Sequence, residues 1–220
     1  MATPGKNIIC EDPLGYLSRK GLVEYRRGQI IFDQGQPSNG LYLVVQGRVK
    51  VASVGENGSV TVIDIYTADE FFGESGLLGP GTRWQAASAL ETATLMSWTC
   101  AEIQAQMERQ PRLGLALVQM MVQRCLDFEE RLKSFAVEKT TERVARSLLR
   151  FASRLGTAQE DGFLHIPPLT HQVLSEYVGT SREIVTSQMN LLRQKGVLNY
   201  SRKGINIRMD AMREHFARGA

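Results

Sequence analysis

The sequence predicts an α+β chain: an N-terminal β-roll of jelly-roll type over residues 1–110, a long helix over 111–138, and a winged helix-turn-helix over 139–220. Three observations carry that expectation. Residues 23–98 are short β-branched or aromatic runs punctuated by glycine, residues 111–135 hold one glycine and a helical apolar period, and residues 169–208 spell helix, tight turn, helix and hairpin.

The strand-like runs fall at 29–32, 41–45, 48–53, 60–66 and 92–98. Turn chemistry separates them: Gln34-Gly35-Gln36-Pro37, Ser38-Asn39-Gly40, Gln46-Gly47 and Gly55-Glu56-Asn57-Gly58. Asn57-Gly58 is the strongest hairpin signal, because both residues tolerate positive φ. Several short strands with turns at close intervals fit a sandwich, barrel or roll.

Past Trp98 the pattern changes to helix. Thr99 is placed to cap a helix beginning near Ala101, and Pro111 permits a new helix start. Val118, Met121, Cys125, Phe128, Leu132 and Phe135 then recur at alternating steps of three and four, an apolar seam suited either to the chain's own β domain or to a second copy. Thr140-Thr141-Glu142 opens a further helix over 143–155, with Gly156 as its closing glycine and Arg143, Arg146, Arg150 and Arg154 along one face. That basic face can be simply solvated. A polar loop, a short strand at 163–166 and Pro167-Pro168 follow.

Residues 169–189 are the most informative stretch. Thr170 is placed to cap a helix starting at His171, Gly179 supplies the permissive backbone of a sharp turn, and Ser181 caps a second helix that Gly196 closes. On that second helix Val185, Met189 and Leu192 share an inward face, which leaves Arg182, Glu183, Thr186, Ser187 and Asn190 on the other. A recognition helix offers its N-terminal side chains to base edges; arginine can donate twice to guanine and glutamate can accept from cytosine N4. The hairpin over 197–208 carries Arg202 and Lys203 at its tip, suited to backbone phosphates.

Bulk properties agree. The chain has 220 residues, 43% apolar and 22% charged, as expected of a folded globular protein. Residues 1–138 carry 13 Lys and Arg against 16 Asp and Glu, whereas 139–220 carry 13 against 7, so a polyanion is expected to meet the C-terminal part. No apolar run approaches the roughly 20 residues of a membrane span, and residues 1–10 lack the core of a secretory signal, so a cytoplasmic location without membrane contact is expected. Cys10, Cys100 and Cys125 are widely spaced; Cys10 is a candidate redox switch, and Cys125 is expected to pack inertly in the seam.

Taken together, the glycine-punctuated roll, Phe71-Phe72-Gly73-Glu74-Ser75-Gly76-Leu77-Leu78, the long helix, Glu142-Arg143-Val144-Ala145-Arg146-Ser147-Leu148-Leu149 and Gly179-Thr180-Ser181-Arg182-Glu183 resemble the cyclic-AMP receptor protein and FNR family of bacterial transcription regulators. The resemblance implies a cyclic-nucleotide-binding-like roll, a parallel homodimer across the long helix, and a palindromic operator in double-stranded DNA. RNA polymerase is a further partner that the resemblance implies. It also implies that Arg182 and Glu183 read bases, with Ser187 where a further arginine is common. The effector-site residues matched are Gly73, Glu74, Ser75 and Arg83, but Trp84 stands where a phosphate-binding hydroxyl is usual, and Phe128 and Glu129 stand where a Thr-Ser pair meets the purine. Cyclic AMP is therefore disfavoured, the ring being expected to fill space. An iron-sulfur cluster is disfavoured because only Cys10 lies near the N-terminus, and sensor haem because His165, His171 and His215 all lie in the DNA-binding part. No cofactor is identified. A cupin-type metalloenzyme is disfavoured for the same lack of histidines before His165, which leaves as alternatives a cyclic-nucleotide-binding-like regulatory module without DNA activity and a cyclic-AMP-dependent regulator.

Overall fold

A computed structural model describes residues 11–79, 81–159 and 162–217, so Cys10 lies outside the described residues. The strands are β1 (Val23–Tyr25), β2 (Ile30–Phe32), β3 (Gly40–Gln46), β4 (Val49–Val54), β5 (Val60–Tyr66), β6 (Phe71–Phe72), β7 (Ala86–Ala89), β8 (Ala93–Thr99), β9 (Thr157–Ala158), β10 (Phe163–Ile166), β11 (Leu198–Ser201) and β12 (Gly204–Arg208). The helices are α1 (Cys100–Arg109), α2 (Arg112–Val137), α3 (Thr140–Leu155), α4 (His171–Val178), α5 (Arg182–Gln194) and α6 (Met209–Ala217).

Three antiparallel sheets have the strand orders β1-β8-β3-β6, β2-β7-β4-β5 and β11-β12-β10-β9. β1, β6, β7 and β9 are not among the expected strands, β9 falling on residues read from the sequence as polar loop. They are two to four residues long, and β7 is Ala-Ala-Ser-Ala, so pairing rather than propensity makes them strands. The β4–β5 connection is longer than a two-residue hairpin: Gly55 N–H donates to Ser59 O at 2.8 Å, and Gly58 adopts φ +78°.

The chain divides into two compact units, one formed by the described residues up to Lys50 with Tyr66–Leu132, the other by Val51–Ile65 with the described residues from Lys133 onward. In the first, Leu17, Leu41, Leu43, Phe71, Trp98, Ile103, Leu113 and Leu117 form one apolar core. Thr99 and Glu102 build a capping box at the start of α1, each side chain taking the other's backbone N–H.

On α2 the apolar stripe that turns inward is Leu113, Ala116 and Leu117, with Met120 against the same core. Leu115, Val118, Val122, Leu126 and Leu132 are each at least half exposed, so the unpartnered stripe is broader than the expected seam. Of that seam, Met121 is half-buried, and Cys125 is exposed in the protomer rather than packed. Phe128 and Phe135 are both exposed, and the Arg143 guanidinium lies 5.0 Å from the Phe135 ring centre. Two neighbouring apolar stripes share this helix, and periodicity does not say which one the core takes.

The second unit corrects two further expectations. Gly156 ends α3 in extended geometry, φ −77° and ψ 134°, rather than as a left-handed closing residue. Glycine is needed there for close approach, since a Cβ would lie 2.2 Å from Ala152 O. Nor is the arginine face of α3 a free surface: Arg143 donates to Glu138 O at 3.4 Å, Arg146 pairs with Glu138, and Arg154 pairs with Asp64 at 2.7 Å while donating to Ile65 O at 3.1 Å. Arg150 is half-buried.

Candidate nucleic-acid interface

The helix-turn-helix is built from its caps inward. Thr170 is exposed but its hydroxyl accepts from Val173 N–H at 3.1 Å, which fixes the start of α4 and makes this residue a cap first. Val173, Leu174, Tyr177 and Val178 bury the inner face, with Phe151 and Tyr177 rings 4.7 Å apart. Gly179 then turns the chain at φ +70°, which strains any L side chain, and a Cβ there would sit 3.2 Å from the Phe135 ring, tight enough that the ring must give by a few tenths of an ångström.

Ser181 caps α5 by accepting from Ile184 N–H at 3.3 Å. Val185, Gln188, Met189 and Leu192 are buried, and this anchoring rotates the opposite face outward. Arg182, Glu183 and Ser187 are exposed there, as the sequence leads one to expect. Thr186 and Asn190 are only half-buried, for a reason the sequence does not display. Thr186 Oγ1 donates to Arg182 O and meets His171 Nδ1, both at 2.8 Å, and Asn190 Oδ1 accepts from the Tyr200 hydroxyl at 3.0 Å. These two side chains thus tie α5 to α4 and β11.

The electrostatics of the first turn suit base edges. Glu183 is held below the ordinary carboxylate range by its own backbone N–H, by Ser181 and by Arg182, so it is an ionised acceptor at neutral pH. His171 is also held low, by partial burial first and by Arg182 second.

Arg202 and Lys203 are exposed at the tip between β11 and β12, where Lys203 N–H donates to Ser201 Oγ at 3.1 Å. The hairpin is pinned from below: β10 pairs along β12, and His165 Nδ1 lies 2.7 Å from Asn206 Oδ1. Two further cations, Arg193 and Arg208, are exposed in the same unit, lying 5.2 Å from the Tyr200 ring centre and 4.9 Å from that of Phe163. Arg193 continues the 182, 186, 190 spacing, which could have located it; Tyr200 and its bond to Asn190 had no local signal.

In the roll, the residues expected at an effector site divide. Gly73 adopts φ +80° and leads into a 3-10 turn over Glu74–Leu78. Arg83 is 2% exposed and donates to Gly73 O at 2.7 Å, Gly40 O at 2.8 Å and Ser75 Oγ at 3.3 Å, with Phe32 below it at 4.2 Å. Glu74 pairs with Arg124 at 2.7 Å. Trp84 is 73% exposed and so does not fill the site, contrary to expectation, because its neighbour Arg83 takes the inward position. The rings that do fill the roll are Phe32, Tyr42, Tyr66 and Phe72, stacked at 5.2 to 6.0 Å. Phe128, on α2, is exposed and has Arg131 over its ring.

Among the described residues no three His, Cys, Asp or Glu side chains are grouped to hold a metal ion, and no helix is long and apolar enough to cross a membrane.

Comparison with known proteins gives two domain matches: a cyclic nucleotide-binding domain over residues 22–110 and a Crp-like helix-turn-helix domain over 142–214. The chain is 28% identical over 206 residues to the cyclic AMP receptor protein of Thermus thermophilus, covering 94% of this chain and 91% of that one. It is 26% identical over 186 residues to the CRP-like cAMP-activated global transcriptional regulator of Mycobacterium tuberculosis, covering 84% and 83%. The fold is also that of FixK2 from Bradyrhizobium japonicum, with a TM-score of 0.76 and 22% identity over 87% of this chain and 94% of that one.

Proposed function

We propose, from the premise that this chain belongs to the CRP/FNR family of DNA-binding transcription regulators, that it acts as a cytoplasmic homodimer reading a palindromic operator. The observation that supports this most directly is the exposed first turn of α5, with Arg182 and Glu183 facing outward in the same unit as the cationic wing. Arg182 is suited to donate twice to guanine O6 and N7, and ionised Glu183 to accept from cytosine N4. Arg202 and Lys203 hold phosphates and set the register without reading sequence. Ser187 contributes a short hydroxyl on the same face, so its reach differs from that of an arginine.

The second copy is supported by α2. Leu115, Val118, Val122, Leu126 and Leu132 form an exposed apolar stripe that a twin helix would cover, and the symmetry would present two recognition helices to half-sites about 34 Å apart. The roll serves as the sensor, for an effector other than cyclic AMP. Arg83 supplies a buried cation, yet Trp84 offers no hydroxyl beside it, and Phe128 and Glu129 offer none from α2. Contact with RNA polymerase follows from regulation of transcription, and no catalytic residue belongs to this reading.

Selection of binding sites from random duplex DNA by the purified full chain tests the function. A palindromic consensus with G·C pairs at symmetric positions is the expected result, with no change in its recovery when cyclic AMP is added. Recovery of unenriched sequence would overturn the operator-reading role, and a consensus that emerges only with cyclic AMP would overturn the choice of effector.

A further inference from the structure

His171 is the first residue of α4, and its Nδ1 lies 2.8 Å from Thr186 Oγ1. The same hydroxyl donates to Arg182 O at 2.8 Å. A hydroxyl has one proton to give, so toward the imidazole Thr186 can only accept. Nδ1 therefore carries a hydrogen in the neutral ring as well as the charged one, and Nε2 is the atom that titrates. Nε2 has no protein partner among the described residues and is not among the buried unpartnered atoms, so it meets solvent.

The groups facing this ring are few. From α5 comes Arg182; from β11 comes Tyr200, nearly edge-on with its centroid 5.3 Å away; and beyond Tyr200 lies Arg193, 5.2 Å from that ring. The nearest carboxylate on its own helix, Glu176, is bonded to Gln172. Partial burial and the Arg182 charge both oppose protonation of the free protein, and the positive end of α4 acts in the same direction.

Resting on the DNA-binding role above, we propose that operator binding takes up a proton at His171, whose imidazolium holds Thr186 through Nδ1 and a backbone phosphate oxygen through Nε2. The first helix of a helix-turn-helix crosses the backbone while the second enters the groove, so this corner meets phosphate as Arg182 meets base edges. DNA then reverses the electrostatic opposition: the polyanion supplies negative potential at Nε2 and compensates Arg182. The residue is a positioning group as well, because the Arg182 carbonyl, Thr186 and the imidazole form one chain of bonds at the start of the reading face.

The sign follows from linkage. A group whose value is raised on binding strengthens the complex fully below its free value, and that gain is lost as pH rises through its bound value. Affinity should therefore fall as pH goes from 6 to 8, by up to about tenfold per pH unit per protomer, the limit for one proton.

The experiment measures affinity of the full chain for the duplex recovered by selection, at fixed salt from pH 6 to 8, for wild type, His171→Gln and His171→Arg. Glutamine can still donate to Thr186 but does not titrate, so its profile should be flat apart from what His165 and His215 contribute. Arginine keeps the charge and should bind with a flat profile near the acid-limit affinity of wild type. A glutamine variant that retains the wild-type slope, or a wild type with no slope, overturns the proposal. Histidine NMR of the wild type provides a measurement independent of variant folding: the value of His171 should rise on adding duplex, and an unmoved value also overturns the proposal. If wild type binds no duplex at any pH, the DNA-binding role itself fails; binding with a flat profile removes only the proton.

Discussion

Arg83 in the roll and Arg182 on the recognition helix place the same side chain in opposite circumstances. Arg83 is 2% exposed and donates to two backbone carbonyls and a serine, over the face of Phe32. Arg182 is exposed, and its guanidinium has no hydrogen-bonding partner among the described residues. A guanidinium taken out of water needs most of its donors met or it destabilises the fold, and of the three Arg83 nitrogens Nε alone is left without a partner among the described residues. A guanidinium left in water adds little to stability and stays available to a polyanion. The first arrangement ties Gly73, Gly40 and Ser75 to one side chain. The second leaves the reading face free.

Substitutions that exchange the two circumstances test this contrast, and the largest effect is expected in the roll. Arg83→Leu strands the Gly73 and Gly40 carbonyls and should cost about 2–4 kcal/mol in urea unfolding of the full chain, at roughly 1–3 kcal/mol for each buried acceptor left unmet. A loss below about 1 kcal/mol would mean that water reaches those carbonyls and that the cassette is looser than its geometry implies. Arg182→Ala should leave stability within about 0.5 kcal/mol of wild type. Its cost should appear instead as a loss of about 1–3 kcal/mol in discrimination between the operator and base-substituted duplexes. Equal weakening on cognate and scrambled DNA would assign Arg182 to phosphate rather than base.

Smaller effects sharpen the same line. Ser181→Ala removes the cap of α5 and should lower stability by about 1 kcal/mol, with weaker binding because the first turn that carries Arg182 frays. Unchanged stability would indicate that burial of Val185 and Met189 alone holds the helix start. Lys203→Ala should be the mildest, weakening all duplexes alike by a few-fold and reducing the log-log salt slope by about one. A sequence-dependent loss would move the wing from positioning into readout.

Much of this was legible locally. Caps declare themselves through one side chain and one nearby N–H, which is why Thr99, Thr170 and Ser181 could be placed from spacing alone. The outward face of α5 followed from Val185, Met189 and Leu192 occupying the inward one. The arginines of α3 were not legible as staples, because their partners Glu138 and Asp64 are set by chain geometry rather than by helical spacing. The same holds for Trp84: it sits in a bend ahead of β7, and only the packed roll decides that Arg83 goes in while Trp84 stays out.

What the amino-acid order determined by itself is the succession of roll, long helix, helix-turn-helix and wing, together with the outward placing of Arg182, Glu183 and Ser187, since periodicity, caps and turn residues act over a few positions. The tertiary structure decided which stripe of α2 is buried, that Thr186 and Asn190 are bonded to His171 and Tyr200, and that an aromatic stack fills the roll. Those choices depend on which distant side chains arrive at the same place, a property of packing in three dimensions that no local pattern along the chain contains.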